Sequence, residues 1–291
     1  MVAISWLRVA RIVMVVVGGM SAFPLSSFAV TIEQSSGANA AAIQAAVDAF
    51  RTDLGTLNAN VAGSFPAGRR EINWDGVPDA SAAPNNLPAN FFNVNSPRGA
   101  VFSTPGTAVQ VSGNAGVAPV RFDNINATYS SIFQTFSAQR LFSAVGSNIV
   151  DVNFFVPGST NPATVSGFGS VFTDVDLANT TSIQYFNTNG VSLGTFFAPT
   201  ANNGLSFLGV TGFSEGIGRV RITNGNIALG PSEVVGAAAV DVVVMDDFLY
   251  GEPRAVVPEP SAILLFATGM GGLAWVRRIR GSRRHPDEET L

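Results

Sequence analysis

The stretch SIQYFNTNGVSLGTFF, residues 182–197, contains the turn of this chain that can be typed from sequence. Two runs rich in β-branched and aromatic residues flank the pair Asn189–Gly190. Such residues favour a half-buried strand, and an Asn-Gly pair between two such runs predicts a hairpin. The expected turn is type I′, because both of its central residues need a positive φ. The stretch therefore predicts two antiparallel strands joined by a tight turn.

The same pattern continues on both sides of this hairpin. Short runs of Val, Ile, Phe and Thr alternate with turn residues and no helical periodicity interrupts them; they include VRFD at 120–123, SIFQTF at 131–136 and DVVVMDDFLY at 241–250. Many short strands without intervening helices favour two packed antiparallel sheets. We therefore expect a mainly β protein, with an antiparallel two-sheet β-sandwich over residues 99–254. A jelly-roll-like strand order is the preferred one, although the pattern does not fix it.

Residues 30–98 predict a helix followed by an irregular lead-in to the sandwich. Within GANAAAIQAAVDAFRTDLG, residues 37–55, the apolar residues recur on one helical face at Ile43, Val47, Phe50 and Leu54. Asn39 is the expected N-cap and Gly55 the expected residue after the last turn. A helix with one apolar stripe needs a partner, so this single N-terminal helix should pack on the sheet.

The N-terminus has the three parts of a secretory signal peptide. Arg8 and Arg11 are followed by an apolar run, and Ser27 and Ala29 provide small residues at the positions a signal peptidase requires. Residues 1–29 are therefore predicted to be removed after Ala29. An uncleaved anchor helix is the alternative.

The chain ends with an apolar run and a cluster of arginines. Ser261–Val276 lacks charged residues, and a helix of this length spans about 24 Å, somewhat less than the ~30 Å hydrocarbon core. This segment, 261–276, is the predicted transmembrane helix. The positive-inside rule places the tail in the cytoplasm and the body outside, because five arginines follow the run: Arg277, Arg278, Arg280, Arg283 and Arg284.

Residues 257–284 resemble the PEP-CTERM sorting signal, from which the seven residues after Arg284 depart slightly, and residues 255–291 are assigned to this signal. The resemblance rests on Pro258, Glu259 and Pro260, followed in order by the apolar run and the arginines. It implies export in an exopolysaccharide-producing Gram-negative bacterium. It also implies that an exosortase, a membrane-embedded cysteine transpeptidase, recognises this segment in the inner membrane and cuts near Pro258–Pro260. A plain anchor that is never cut is the alternative.

Composition excludes several kinds of chemistry. The chain has no cysteine, and its one histidine, His285, lies beyond the arginine cluster. Disulfides, thiolate nucleophiles, Ser-His catalysis and the usual zinc sites are therefore excluded from the body. Acidic residues outnumber arginines between residues 30 and 257. A mildly acidic body offers no basic surface, so nucleic acid is not an expected partner.

Carboxylates remain as candidate functional groups. Asp174 and Asp176 are two apart on a predicted strand and should share a face. Strict alternation in the last strand places Asp246 on an apolar face with Val244 and Phe248, and Asp247 on the opposite face. A carboxylate directed at a core must be hydrogen-bonded, paired or bound to metal. Three interpretations remain: Asp246 at a strand end accepting loop amides, a structural calcium site including some of Asp246, Asp247, Asp174 and Asp176, or a catalytic carboxylate pair.

The stretch REINWDGVPD, residues 70–79, has two interpretations. Trp74 could offer an aromatic platform to a sugar, or it could pack under the edge of the sandwich with Asp75 capping a turn. The preceding pair, Arg69 and Arg70, is interpreted as solvated.

Three functions follow, in order of preference. The first is an exported, exosortase-sorted surface or matrix protein with a non-catalytic structural or adhesive role, associated with exopolysaccharide. The second is a carbohydrate-binding β-sandwich with a structural calcium. The third is a glycosidase that uses carboxylates alone.

Overall fold

The computed structural model describes residues 30–113, 120–231 and 239–256. The predicted signal peptide with Ala29, the Pro258–Glu259–Pro260 motif, the apolar segment 261–276 and the arginine cluster all lie outside these residues. Within the described part of the chain, no helix is long and apolar enough to cross a membrane.

The described residues form a mainly β structure with few helices, as predicted. The helices are α1 (Ala40–Leu54), α2 (Phe91–Val94) and α3 (Tyr129–Ile132), with a 3₁₀ turn at Asp79–Ser81. The strands are β1 (Thr31–Gly37), β2 (Arg69–Ile72), β3 (Ala100–Ser103), β4 (Ala108–Val111), β5 (Phe142–Val145), β6 (Ile149–Phe154), β7 (Ala163–Thr164), β8 (Gly167–Val175), β9 (Ser182–Phe186), β10 (Ser192–Phe197), β11 (Ala201–Thr211), β12 (Arg219–Thr223), β13 (Val244–Gly251) and β14 (Arg254–Ala255).

Two antiparallel sheets form the sandwich. One has the order β1-β11-β8-β13-β5-β4, with β2 added beside β13, and the other has the order β10-β9-β12-β6-β3. Eight strands form four hydrogen-bonded pairs in which the first strand pairs with the last, the second with the second last, and so on inward: β5 with β13, β6 with β12, β8 with β11 and β9 with β10. The prediction of a mainly β protein with two antiparallel sheets is therefore confirmed, and the pairing is compatible with the jelly-roll-like order.

The main core lies between the two sheets. Aromatic side chains dominate it, and the ring of Phe248 contacts those of Phe102, Phe142 and Phe168 at centroid distances of 6.3, 5.7 and 5.2 Å. Side chains alternate between the faces of a strand, so each sheet contributes one apolar face to this core.

The lead-in belongs to the same sandwich. β1 pairs with β11 over its whole length, and β2 pairs with β13. The residues before 99 therefore contribute two strands to the larger sheet. The alternation in residues 31–37 is weak because no residue of this edge strand is buried, which is why the sequence pattern did not reveal it.

The helix α1 covers the outer face of the larger sheet, as expected from its apolar stripe. The side chain of Asn39 accepts a hydrogen bond from Ala42 N at 3.3 Å, and Gly55 closes the helix with a φ of 91°. The ring of Phe50 sits over Gly169 and Gly209, which face each other across β8 and β11. A Cβ on Gly209 would come within 2.8 Å of that ring, so glycine permits this close approach.

The hairpin at residues 182–197 forms, but its turn is not type I′. Gly190 has a φ of 77°, whereas the φ of Asn189 is not positive. Gly190 N donates to Asn187 O at 3.1 Å, which closes a type I turn before the left-handed glycine. The side chain of Asn187 selects this turn, because its Oδ1 accepts hydrogen bonds from Asn189 N and Val191 N.

Two of the predicted strands do not form. In VRFD, Arg121 and Phe122 have φ values of 50° and 69°, which a strand cannot accommodate. In SIFQTF, the first residues form the end of α3 and the rest form a loop. Phe122 and Phe133 bury their side chains in a small separate core with Tyr129 and Val244, so burial rather than strand pairing explains these two aromatic residues.

Candidate functional site

A β-bulge in β13 positions the two adjacent aspartates. Met245 lies opposite Phe172 and Phe248 lies opposite Ser170, so Asp246 and Asp247 together face one residue of β8. The bulge shifts the alternation: Met245 and Phe248 both join the main core. The predicted common face of Val244, Asp246 and Phe248 is therefore wrong, because strict alternation does not hold across the bulge.

Asp246 accepts hydrogen bonds from the loop that follows α3. Its Oδ2 receives Phe136 N at 2.6 Å and Ser137 N at 3.3 Å, and the Ser137 hydroxyl lies 3.2 Å from Oδ1. That hydroxyl also lies 2.7 Å from Asp247 Oδ1. The expectation that Asp246 accepts loop amides is confirmed, although the residue lies within the strand and not at its end.

The pair of carboxyl groups is electrostatically unfavourable when fully ionised. Burial raises the pKa of Asp246 well above its ordinary value, and the charge of Asp247 raises it further. Burial also raises the pKa of Asp247, although the Ser137 hydrogen bond opposes the change. The pair therefore favours retaining a proton at pH values where exposed aspartates are ionised.

Asp174 and Asp176 belong to a different hydrogen-bonded group, with Asp241. Asp174 Oδ1 accepts Asn203 N at 2.7 Å, and Asp241 Oδ1 accepts Asp176 N at 3.0 Å. Burial is the main reason that the pKa of Asp174 rises to about 7, and the neighbouring charges of Asp176 and Asp241 add to it. The structure thus divides the four predicted calcium ligands between two groups.

The described residues include no cluster of three or more His, Cys, Asp or Glu side chains that could hold a metal ion. Calcium binding by Asp246, Asp247, Asp174 or Asp176 stays a prediction. Loop amides already occupy Asp246 Oδ2, so that oxygen would have to exchange a hydrogen bond for a metal bond.

Trp74 is buried and does not form a platform. It is 1% exposed, its ring stacks on Phe142 at a centroid distance of 4.1 Å, and its indole Nε1 donates to Asp246 O at 2.7 Å. The structure therefore shows the packed arrangement of Trp74, whose side chain reaches only the lining of a cavity of about 200 Å³; a glycan contact at Trp74 stays a prediction. Asp75 Oδ1 accepts Gln139 N at 2.9 Å and Arg140 N at 3.1 Å, which is the predicted capping role.

A cavity of about 440 Å³ opens beside Asp247. Its lining combines charged, amide and apolar side chains: Gln44, Arg51, Leu57, Asn60, Glu71, Asn73, Arg98, Phe136, Ser137 and Asp247. Arg51 forms two hydrogen bonds of 3.0 Å with Glu71, and Arg69 Nε adds a third at 2.6 Å. The negative charge of Glu71 is therefore balanced within the protein.

Sequence patterns do not reveal that Arg51, Glu71 and Arg98 are neighbours, because these residues come from α1, β2 and a loop. The interpretation of Arg70 as solvated is also wrong. Arg70 is fully buried and forms an ion pair with Glu252. The two arginines of the pair face opposite sides of β2, and only the side chain of Arg69 remains partly exposed.

Comparison with known proteins identifies the C-terminal segment. Residues 256–278 match the PEP-CTERM protein-sorting motif, so the resemblance seen in the sequence is confirmed. No curated protein matches this chain.

Two solved structures show weak similarity. One is the enzymatically active domain of a bacteriophage CBA120 tailspike protein, with 17% identity and a TM-score of 0.27; the match covers 57% of this chain and 20% of that one. The other is a mutant of a family 29 carbohydrate-binding module, with 8% identity and a TM-score of 0.23; the match covers 52% of this chain and 91% of that one. The present chain thus aligns with only a fifth of the tailspike chain. At these TM-scores neither likeness identifies a fold or a function.

Proposed function

We propose that this protein is exported, held in the inner membrane by its C-terminal segment and cut there by an exosortase. The released β-sandwich then has a non-catalytic structural or adhesive role at the cell surface or in the extracellular matrix. One observation carries the proposal: the sorting motif begins at Val256, directly after β14, the last described strand. A cut near Pro258–Pro260 would leave every described strand in the released body.

The end of the body is well anchored to the rest of the sandwich. Arg254 and Ala255 pair with β7, and Val256 N donates to Pro162 O at 3.4 Å. The chain from Val256 to Ser261 can extend at most about 18 Å, at 3.3–3.6 Å per residue. A body attached through an uncut tail would therefore stay close to the membrane surface, and cutting would release it.

The charged groups of the site favour a structural role over catalysis. A carboxylate-only glycosidase needs one carboxylic acid and one carboxylate on opposite sides of the scissile bond. Asp246 is fully buried and accepts loop amides, and it adjoins Asp247 in the chain. The hydrogen bonds of the Asp246–Asp247 pair hold the loop that follows α3 against β13, and we therefore assign the pair a structural role.

Fractionation of cells that contain an exosortase tests the sorting proposal. The chain carries one tag on the body and another after Leu291, and it is compared with a variant in which Pro258, Glu259 and Pro260 are alanine. The wild-type body should leave the inner membrane without its tail, whereas the variant should remain joined to it. A matched control replaces Pro286, Asp287 and Glu288 by alanine and should be processed like the wild type. A wild-type body that stays in the inner membrane with its tail would support the plain anchor instead.

A further inference from the structure

Two cavities meet at Asn73 and Arg98. The first is the cavity of about 440 Å³ beside Asp247, and the second, of about 200 Å³, is lined by Pro78, Phe91 and Phe92 among others. Both include Asn73 and Arg98 in their lining. We refer to the two cavities together as the Arg98 groove. A groove of two adjoining cavities suits a ligand with more than one unit.

Arg98 lacks a carboxylate partner in the described part of the chain. Its Nη1 donates to the hydroxyl of Ser96, and its guanidinium lies 5.2 Å from the centre of the Phe92 ring. Its Nε is buried, and no acceptor among the described residues reaches it. By contrast, Arg51 and Arg70 each form a two-point ion pair with a glutamate.

The environment makes this unbalanced charge costly. Burial lowers the pKa of the Arg98 guanidinium, and the positive charge of Arg70 lowers it further. A cation that is partly removed from water is stabilised when an anion supplies both charge and hydrogen bonds. Glu71 cannot serve, because Arg51 and Arg69 already hold it. No described carboxylate pairs with the guanidinium of Arg98. An anionic ligand bound there would therefore supply the missing negative charge.

The remaining lining favours a sugar over a simple anion. Asn60 and Asn73 are exposed, and their side chains form no hydrogen bond with the described residues. Leu57 is 52% exposed at the same cavity and offers an apolar surface to the C–H face of a ring. Free amide groups beside an apolar surface suit a ligand that carries many hydroxyl groups.

We propose that the Arg98 groove binds a glycan that contains uronic acid, with a ligand carboxylate on the guanidinium of Arg98. Asn60 and Asn73 hydrogen-bond the hydroxyl groups, and Leu57 packs against a ring. This site lies in the folded body and is independent of sorting. A failure of glycan binding would leave the sorting proposal unaffected, and the reverse also holds.

Calorimetry with the full chain in detergent tests the site. The probes are the trisaccharides of galacturonic, mannuronic and glucuronic acid, with galactotriose as a neutral counterpart and galacturonic acid as a single unit. At least one acidic trisaccharide should bind, and galactotriose and the single unit should each bind at least tenfold more weakly. Raising the salt concentration to 0.5 M should weaken binding, because charge attraction is screened. Absence of binding by all three acidic probes, or equal binding of galactotriose, would overturn the proposal.

Substitutions locate the binding to the groove. Arg98→Gln should weaken binding at least tenfold, since a charge-assisted hydrogen bond is removed. Arg254→Gln is the matched control: Arg254 lines a separate cavity of about 440 Å³, and this change should alter affinity less than twofold. A second variant, Asn60→Ala with Asn73→Ala, changes only exposed side chains and should weaken binding several-fold without changing the melting temperature. Equal losses in the Arg98 and Arg254 variants, or unchanged affinity in the Asn60 and Asn73 variant, would overturn the proposal.

Discussion

Arg70 and Glu252 form a buried, two-point ion pair that ties the end of the folded body to its lead-in. Arg70 Nε lies 2.6 Å from Glu252 Oε2, Nη2 lies 2.8 Å from Oε1, and both side chains are fully buried. Asn58 Nδ2 and Phe65 N donate to the same carboxylate at 2.8 and 3.2 Å. Glu252 follows β13 directly, so this network fixes the chain shortly before the sorting motif.

Glu252→Gln should destabilise the fold by about 3–5 kcal/mol, because it leaves the Arg70 charge buried without a partner. Chemical denaturation of the full chain in detergent measures this change. Glu215→Gln is the matched control, since it makes the same substitution at an exposed residue and should change the free energy of unfolding by less than about 0.5 kcal/mol. Similar values for the two variants would mean that the Arg70–Glu252 pair contributes little.

Asp174→Asn should stabilise the protein at neutral pH. Because the folded-state pKa of Asp174 is about 7, above the ordinary value of 3.8, its proton favours the folded state. That contribution is complete below about pH 3.8 and is lost as the pH rises to about 7. The variant should therefore match the wild type at low pH and melt at a higher temperature above pH 7. Asparagine also tolerates the φ of 66° at this position.

The measurement for Asp174 is the melting temperature of both proteins between pH 4 and 8. Asp53→Asn on the exposed side of α1 serves as a control for removing one negative charge from the body. A constant difference between Asp174→Asn and wild type across this range would contradict the assigned cause.

Trp74→Phe should destabilise the fold by about 1–3 kcal/mol, because the Asp246 carbonyl loses the donor that satisfies it in the core. The phenyl ring can still stack on Phe142, and the smaller ring also leaves a cavity that adds to the loss of stability. Chemical denaturation of the variant and of the wild type measures this change. An unchanged free energy of unfolding would contradict the role given to the indole N–H.

If the aspartates bind calcium, the metal should stabilise the folded protein. A site that holds calcium at 100 times its dissociation constant adds about 2.7 kcal/mol to the free energy of unfolding. Melting would then rise with calcium relative to a chelator, and Asp174→Asn with Asp176→Asn would abolish the rise if those residues were ligands. An identical melting temperature in calcium and chelator would reject a calcium site.

The parts of the fold that depend on local patterns could be predicted from the sequence. The stripe of Ile43, Val47, Phe50 and Leu54 predicted α1 and its packing, since helical periodicity is a local property. Asn187 shows the limit of such rules: its side chain selects a type I turn where Asn189–Gly190 alone suggested type I′.

The candidate site could not be predicted in the same way. The bulge at Asp246 and Asp247 depends on pairing with β8, and nothing in residues 241–250 alone reveals it. Likewise, Arg69 and Arg70 look equivalent in the sequence, but only Arg70 reaches Glu252, a residue far along the chain. Whether a charged residue is buried depends on partners that lie far along the chain. These partners cannot be identified from a single sequence.

The mass of the exported body shows whether the sorting segment has been removed. The protein is recovered from the medium or cell surface of an exosortase-containing host, and its C-terminal peptide is identified by mass spectrometry. The expected new C-terminus lies near Pro258–Glu259–Pro260, with β14 retained and the arginine cluster absent. An exported body that still ends at Leu291 would contradict the sorting proposal.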